Sequence, residues 1–226
     1  MFDRITPNVK KLLIVNIVIF LMMSISKSTE YFFIKNFSLF NPLLPNNESI
    51  LNPYFKFWQI FTYMFLHGGW THLFSNMFGL FIFGSTLETF MGSKKFLTYY
   101  LLTGIGAALI NIGIDYLQMT NMLVDSMEYS NMVTTPMLGA SGAIFGILVA
   151  FGVLFPNVEL MLLFFPFPIK AKYFVTLYGL YEIFAGTAGL QQGIAHFAHV
   201  GGLITGFILL KFFGFDRRFN GNYRNW

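Results

Sequence analysis

Six stretches of the chain are apolar over lengths near that of a bilayer-crossing helix, and polar or proline-broken segments separate them. They run Leu12–Ser26, Thr71–Met91, Phe96–Tyr116, Met137–Phe155, Ala171–Thr187 and His196–Phe213, compared with the roughly 17–25 residues a spanning helix uses. The pattern predicts an all-α fold, a polytopic membrane protein of six transmembrane helices forming one domain over residues 1–226. Short tails are expected at 1–11 and 214–226. Leu12–Ser26 follows basic residues, as a signal peptide does. No small-residue cleavage pattern follows it, however, and Lys27–Glu30 reads as the flank of a retained span. The segment 28–59 is rich in aromatic residues and broken by Pro42, Pro45 and Pro53. It is too interrupted to span and is expected to lie at the outer interface, where aromatic rings are favoured.

Composition strengthens the membrane reading. Of 226 residues, 55% are hydrophobic and 11% charged, 30 are Phe, and mean hydropathy is +0.61. Soluble domains carry about 25% charged residues, so lipid must cover part of this surface. The absence of cysteine excludes disulfides, thiolate catalysis and cysteine–metal sites. A net charge of +4 could suggest nucleic acid, but the placement of the charges points elsewhere. With both termini inside, the inner segments and their flanks hold Arg4, Lys10, Lys11, Lys94, Lys95, Lys170, Lys172, Lys211, Arg217, Arg218 and Arg224, eleven of the fourteen basic residues. The outer loop Leu117–Pro136 has Asp125 and Glu128 and no basic residue. The positive-inside rule therefore predicts an N-in, C-in, multi-pass protein, and no nucleic-acid partner.

Polar residues are costly inside a membrane, so those in the apolar segments point to function. His67, His72, His196 and His199 fall at the outer ends of the second and sixth spans, and Asn76 lies one turn below His72 on the same face. Ser141 is five residues past Pro136, which puts it about 8 Å below the start of the expected helix. The second, fourth and sixth helices all enter from outside, so these groups converge at one depth. Ser141 sits in Gly139-Ala140-Ser141-Gly142-Ala143-Ile144-Phe145-Gly146. Taken alone it fits a helix-packing serine in a small-residue stripe. A nucleophile needs the same glycines, because its backbone must come close to a substrate carbonyl and a base must reach its hydroxyl. The sixth span supplies a base beside a second close-approach pair, Gly202 and Gly206. His199 is one turn above Gly202 and lies deeper than His196, which favours it as the base. His72, Asn76 and the Ser141 N–H could serve a developing oxyanion. No carboxylate accompanies these residues in the sequence reading, which favours a dyad over a triad. Glu182 falls within the fifth span without a role.

The segments His72-Leu73-Phe74-Ser75-Asn76-Met77, Gly139-Ala140-Ser141-Gly142 and Ala198-His199-Val200-Gly201-Gly202 together resemble the rhomboid intramembrane serine proteases, in the same order and on the same helices. Similarity extends through Trp58-Gln59, Thr62-Tyr63 and the turn from Glu88 to Gly92, covering most of the chain. The resemblance implies Ser141 as nucleophile, His199 as general base, and His72 and Asn76 as oxyanion-hole side chains. Phe145 then occupies the position of an aromatic residue that packs on the catalytic imidazole, where many members have Tyr. Implied substrates are single-span membrane proteins cut near the outer face, in a bacterial inner membrane, by a minimal core form with no cofactor and no metal. Two other readings compete: a histidine-ligated metal or haem membrane protein, and an inactive rhomboid-like protein that binds transmembrane segments.

Overall fold

A computed structural model describes residues 5–45, 51–162, 165–190 and 195–215. Arg4, Arg217, Arg218 and Arg224, much of both expected tails, and residues 46–50 of the outer segment lie outside the described residues. Each expected apolar segment falls on helix. α1 is Pro7–Met23, with Pro7 in its first turn, where a missing N–H costs nothing. The second segment is continuous through α4 (Trp70–Gly79), a π-helical turn at Leu80–Gly84, and α5 (Ser85–Met91). α6 is Ser93–Met119, α8 is Ser141–Leu154, α9 is Ala171–Thr187 and α10 is His196–Phe212. Among the described helices, α6 is the one whose length and apolarity alone suffice to cross a membrane, and α8 and α10 are shorter apolar helices.

Shorter elements lie between them. α2 (Lys27–Phe37) and α7 (Met127–Thr134) each begin at a serine N-cap, Ser26 accepting from Thr29 N–H and Ser126 from Tyr129 N–H. α3 (Gln59–Thr62) runs into a tight turn at Tyr63–Phe65. The segment 28–59, which does not span, is therefore partly helical. The all-α expectation also needs amendment. β1 (Glu159–Leu162) and β2 (Phe165–Lys170) form an antiparallel hairpin between α8 and α9.

α10 packs on α8 and α6, and α9 closes the far side against both α8 and α10. The glycines set these distances. A Cβ on Gly202 would lie 2.0 Å from the carbonyl oxygen of Gly142, and one on Gly206 would lie 2.8 Å from Gly146 Cα. Only residues without side chains permit that approach of α10 to α8. Gly142 and Gly146 open in another direction, toward Ala107 and Thr103 of α6. Tyr63, Phe96, Tyr99, Tyr100 and Ile147 fill the buried centre. Tyr63 and Tyr99 each donate a hydroxyl hydrogen bond of 2.7 Å, to the carbonyls of Gly104 and Gly146. Large apolar side chains also face outward: Ile14, Val18 and Leu21 on α1, Leu177, Leu180 and Phe184 on α9, and Phe207 and Ile208 on α10.

Candidate active site

Ser141 is the first residue of α8. The expectation that the helix begins near Met137, with Ser141 about 8 Å inside it, is therefore corrected. Met137 is held extended instead, exchanging two backbone hydrogen bonds of 2.8 Å with Leu39. The chain then turns through Gly139 at φ +127, a conformation side-chain-bearing residues rarely adopt. Gly139 N–H donates to Tyr63 O at 2.9 Å. The extended stretch carries the chain to Ser141, and the helix starts there.

The structure brings Ser141 and His199 together. His199 Nε2 is 2.8 Å from Ser141 Oγ across the α8–α10 contact. Phe145, one turn beyond Ser141, stacks on the His199 ring with centroids 4.3 Å apart and an interplanar angle of 10°. His196 is buried on the same helix, its ring 6.2 Å from that of His199. On the opposite wall, a Cβ at Gly139 would meet His72 Nε2 at 2.7 Å and Ser141 Oγ at 3.8 Å, so His72 edges onto the same small volume. Gly68 N–H donates to His72 Nδ1 at 3.4 Å, which leaves the proton of a neutral His72 on Nε2, facing Gly139. Asn76 is buried and donates one amide hydrogen to His72 O at 2.8 Å. His67 packs edge-on against His72 with centroids 5.0 Å apart.

The expectation that no carboxylate accompanies the site is overturned. Glu182 of α9 is buried, and its Oε2 lies 2.8 Å from His199 Nδ1 and 2.6 Å from His196 Nδ1. It is far from both histidines in sequence, and the meeting depends on how α9 packs on α10. A signal was present in the sequence: a carboxylate within an apolar segment needs a partner, and the histidines are the donors at its level.

Glu182, His196 and His199 also form the one group of three histidine or acidic residues that could share a metal ion among the described residues. Their spacing argues for hydrogen bonds instead. Zinc held at about 2.0 Å by tetrahedral nitrogen and oxygen ligands sets neighbouring ligand atoms about 3.3 Å apart. The contacts at 2.6 and 2.8 Å are hydrogen-bond lengths.

A rhomboid domain model matches residues 54–215, which include His67, His72, Asn76, Ser141, Phe145, Glu182, His196 and His199. The chain is 35% identical over 164 residues to rhomboid protease AarA of Providencia stuartii, covering 67% of this chain and 54% of that protein. It is 31% identical over 142 residues to the mitochondrial rhomboid protein 1 of Saccharomyces cerevisiae, covering 63% and 38%. To the rhomboid-type protein YdcA of Bacillus subtilis it is 29% identical over 210 residues, covering 92% and 89%. The chain thus spans about half of AarA and less of the yeast protein, but most of YdcA. With the family model matching well over half of its length, the chain belongs to the rhomboid family.

Proposed function

We propose that this protein is an intramembrane serine endopeptidase that cuts transmembrane segments near the outer face of the membrane. The observation that carries the reading is the 2.8 Å contact between His199 Nε2 and Ser141 Oγ, held by close-packed glycine-lined helices. In this reading the helical segments α1, α4–α5, α6, α8, α9 and α10 are the six spans. Their outward apolar side chains meet lipid, since patches of that extent are not left to water. Lys10, Lys11, Lys94, Lys95, Lys170, Lys172 and Lys211 mark the inner side, giving N-in, C-in. Substrates are single-span membrane proteins that reach the site from the bilayer, and a bacterial inner membrane suits the orientation.

The chemistry follows from the contacts. Ser141 Oγ attacks the scissile carbonyl as its proton passes to His199 Nε2, and the carbonyl electron pair moves onto oxygen. His72 Nε2–H, the second amide hydrogen of Asn76 and the backbone N–H of Ser141 are the donors for that oxyanion. The tetrahedral adduct collapses as His199 protonates the leaving amine nitrogen and the C–N bond breaks. Water then hydrolyses the acyl-serine by the same route, with His199 again as base.

Purified protein should be labelled by a fluorophosphonate probe and should cut a single-span reporter. Ser141→Ala should abolish both while the protein stays folded, because alanine fits beside Gly142 as well as serine does. His199→Ala should lower both by roughly 10²–10⁴, the usual cost of losing a general base. Cleavage by Ser141→Ala near the wild-type rate would remove Ser141 as nucleophile.

A further inference from the structure

We propose that Glu182 positions His199 for proton transfer, so that the working unit is a Ser141–His199–Glu182 array, with His196 as the second partner of the carboxylate. This rests on the proposed function and extends it beyond a serine–histidine pair. Glu182 is 3% exposed, and a carboxylate so buried is tolerated only with strong donors. It has two, His199 Nδ1 at 2.8 Å and His196 Nδ1 at 2.6 Å, both to Oε2.

Counting protons fixes what each group does. His196 Nε2 lies 3.0 Å from the carbonyl oxygen of Leu190, which can only accept, so Nε2 carries a proton. A neutral His196 would then turn a bare Nδ1 toward Oε2 at 2.6 Å, lone pair against lone pair. One proton must therefore lie between His196 Nδ1 and Glu182 Oε2, which makes that pair neutral overall. Whichever of the two atoms holds that proton, Oε2 keeps a lone pair for His199. It accepts from His199 Nδ1–H at 2.8 Å, and the lone pair of His199 is left on Nε2, facing Ser141 Oγ. That is the tautomer a general base requires.

The ring is fixed in two complementary ways. Stacking on Phe145 sets the plane of the imidazole but not which edge faces Ser141, since a half-turn about Cβ–Cγ keeps the plane. Hydrogen bonds at Nδ1 and Nε2 lie in the plane and select the edge. When Nε2 takes the serine proton, the imidazolium already donates its other proton to Glu182, so no group has to move to meet the new charge. Glu182 touches neither substrate nor the reacting oxygen and acts through His199.

The test compares Glu182→Gln, Glu182→Asp and Glu182→Ala with wild type and Ser141→Ala in detergent. The readouts are folding, fluorophosphonate labelling at Ser141, and kcat and KM on the single-span reporter. Glutamine keeps the shape but can turn its amide toward Nδ1 and favour the wrong tautomer. The expected result is a fall in kcat of about 10²-fold or more with KM within about threefold, labelling slowed in parallel, and Asp recovering more than Gln or Ala. For variants that fail to fold, ¹⁵N-histidine spectra of the folded wild-type protein decide the matter: His199 should be protonated at Nδ1 and bare at Nε2. A Gln variant within about threefold of wild type, or a wild-type His199 protonated at Nε2 alone, overturns the role of Glu182. An unreactive wild type overturns the reading of the site and the role of Glu182 with it. A reactive wild type with a Glu182→Gln that labels and cuts within about threefold of it overturns the role of Glu182 alone.

Discussion

Replacing Gly202 with alanine tests whether the close approach of two helices is what assembles the site. The added Cβ would lie 2.0 Å from Gly142 O, 3.0 Å from Gly142 C and 3.3 Å from Phe145 Cβ. The nearest of these is backbone, which cannot swing aside as a side-chain tip can. Restoring ordinary contact at about 3.4 Å requires the helices to part locally by about 1.4 Å. His199 is one turn from Gly202, and Ser141 is next to Gly142. If half of that displacement reaches the Ser141–His199 pair, its 2.8 Å contact opens to about 3.5 Å, the edge of a hydrogen bond. A misplacement near 1 Å costs about 10² in rate, and overpacking typically costs about 1–3 kcal/mol of stability. Gly202→Ala should therefore lower the fluorophosphonate labelling rate about 10²-fold and lower the melting temperature in detergent. Gly113→Ala is the control, because a Cβ there meets nothing within 4 Å, and it should label at the wild-type rate. Wild-type labelling and melting in Gly202→Ala would refute the argument that this contact positions the base.

His72→Ala and Asn76→Ala should each lower kcat, by up to about 10²–10³ for loss of one oxyanion donor, while leaving the Ser141–His199 contact in place. Wild-type turnover in both single variants and in the double variant would reduce them to packing residues. The chain has no cysteine, so single cysteines report topology directly. Asp125→Cys should react with an impermeant maleimide from outside intact cells, and Ser93→Cys should not. Labelling of Ser93→Cys from outside would reverse the orientation.

Some of this architecture was legible because local rules govern it. The apolar segments found their helices, and the glycine pairs of α8 and α10 correctly implied backbones close enough to bring an imidazole onto Ser141. Phe145 lies one turn from Ser141, so its place over His199 followed once α10 was set against α8. The N-caps Ser26 and Ser126 were readable signals for α2 and α7; aromatic content and prolines obscured the first, and the expectation of a loop over 117–136 the second. Residues 159–170 form a short apolar run containing Pro166 and Pro168, a pattern that does not separate a hairpin from a loop. Glu182 could not be placed by spacing along one helix. Its partners lie on α10, and only the rotation of α9 against α10 decides whether its carboxylate faces them or lipid.

The start of α8 was illegible for a different reason, and the correction bears on the chemistry. Residues 137–140 are as apolar and small as those that follow, so periodicity extends the helix back to Met137. A partner 98 positions away in sequence prevents this: Met137 O accepts from Leu39 N–H at 2.8 Å. In a helix running from Met137, that carbonyl would take the N–H of Ser141. As it stands, the first carbonyl taken at the head of α8 is Ala140 O, by Ile144 N–H at 3.0 Å. The N–H groups of Ser141, Gly142 and Ala143 therefore have no carbonyl of their own helix to donate to, and they sit at its positive end. A serine a full turn inside a helix could offer an oxyanion only side chains, because its amide would already be committed. A serine at the first helical position offers its own N–H to the oxyanion formed by its own attack. The pairing of Leu39 with Met137 thus connects the outer segment to the nucleophile, because it frees the backbone donor that the proposed reaction uses.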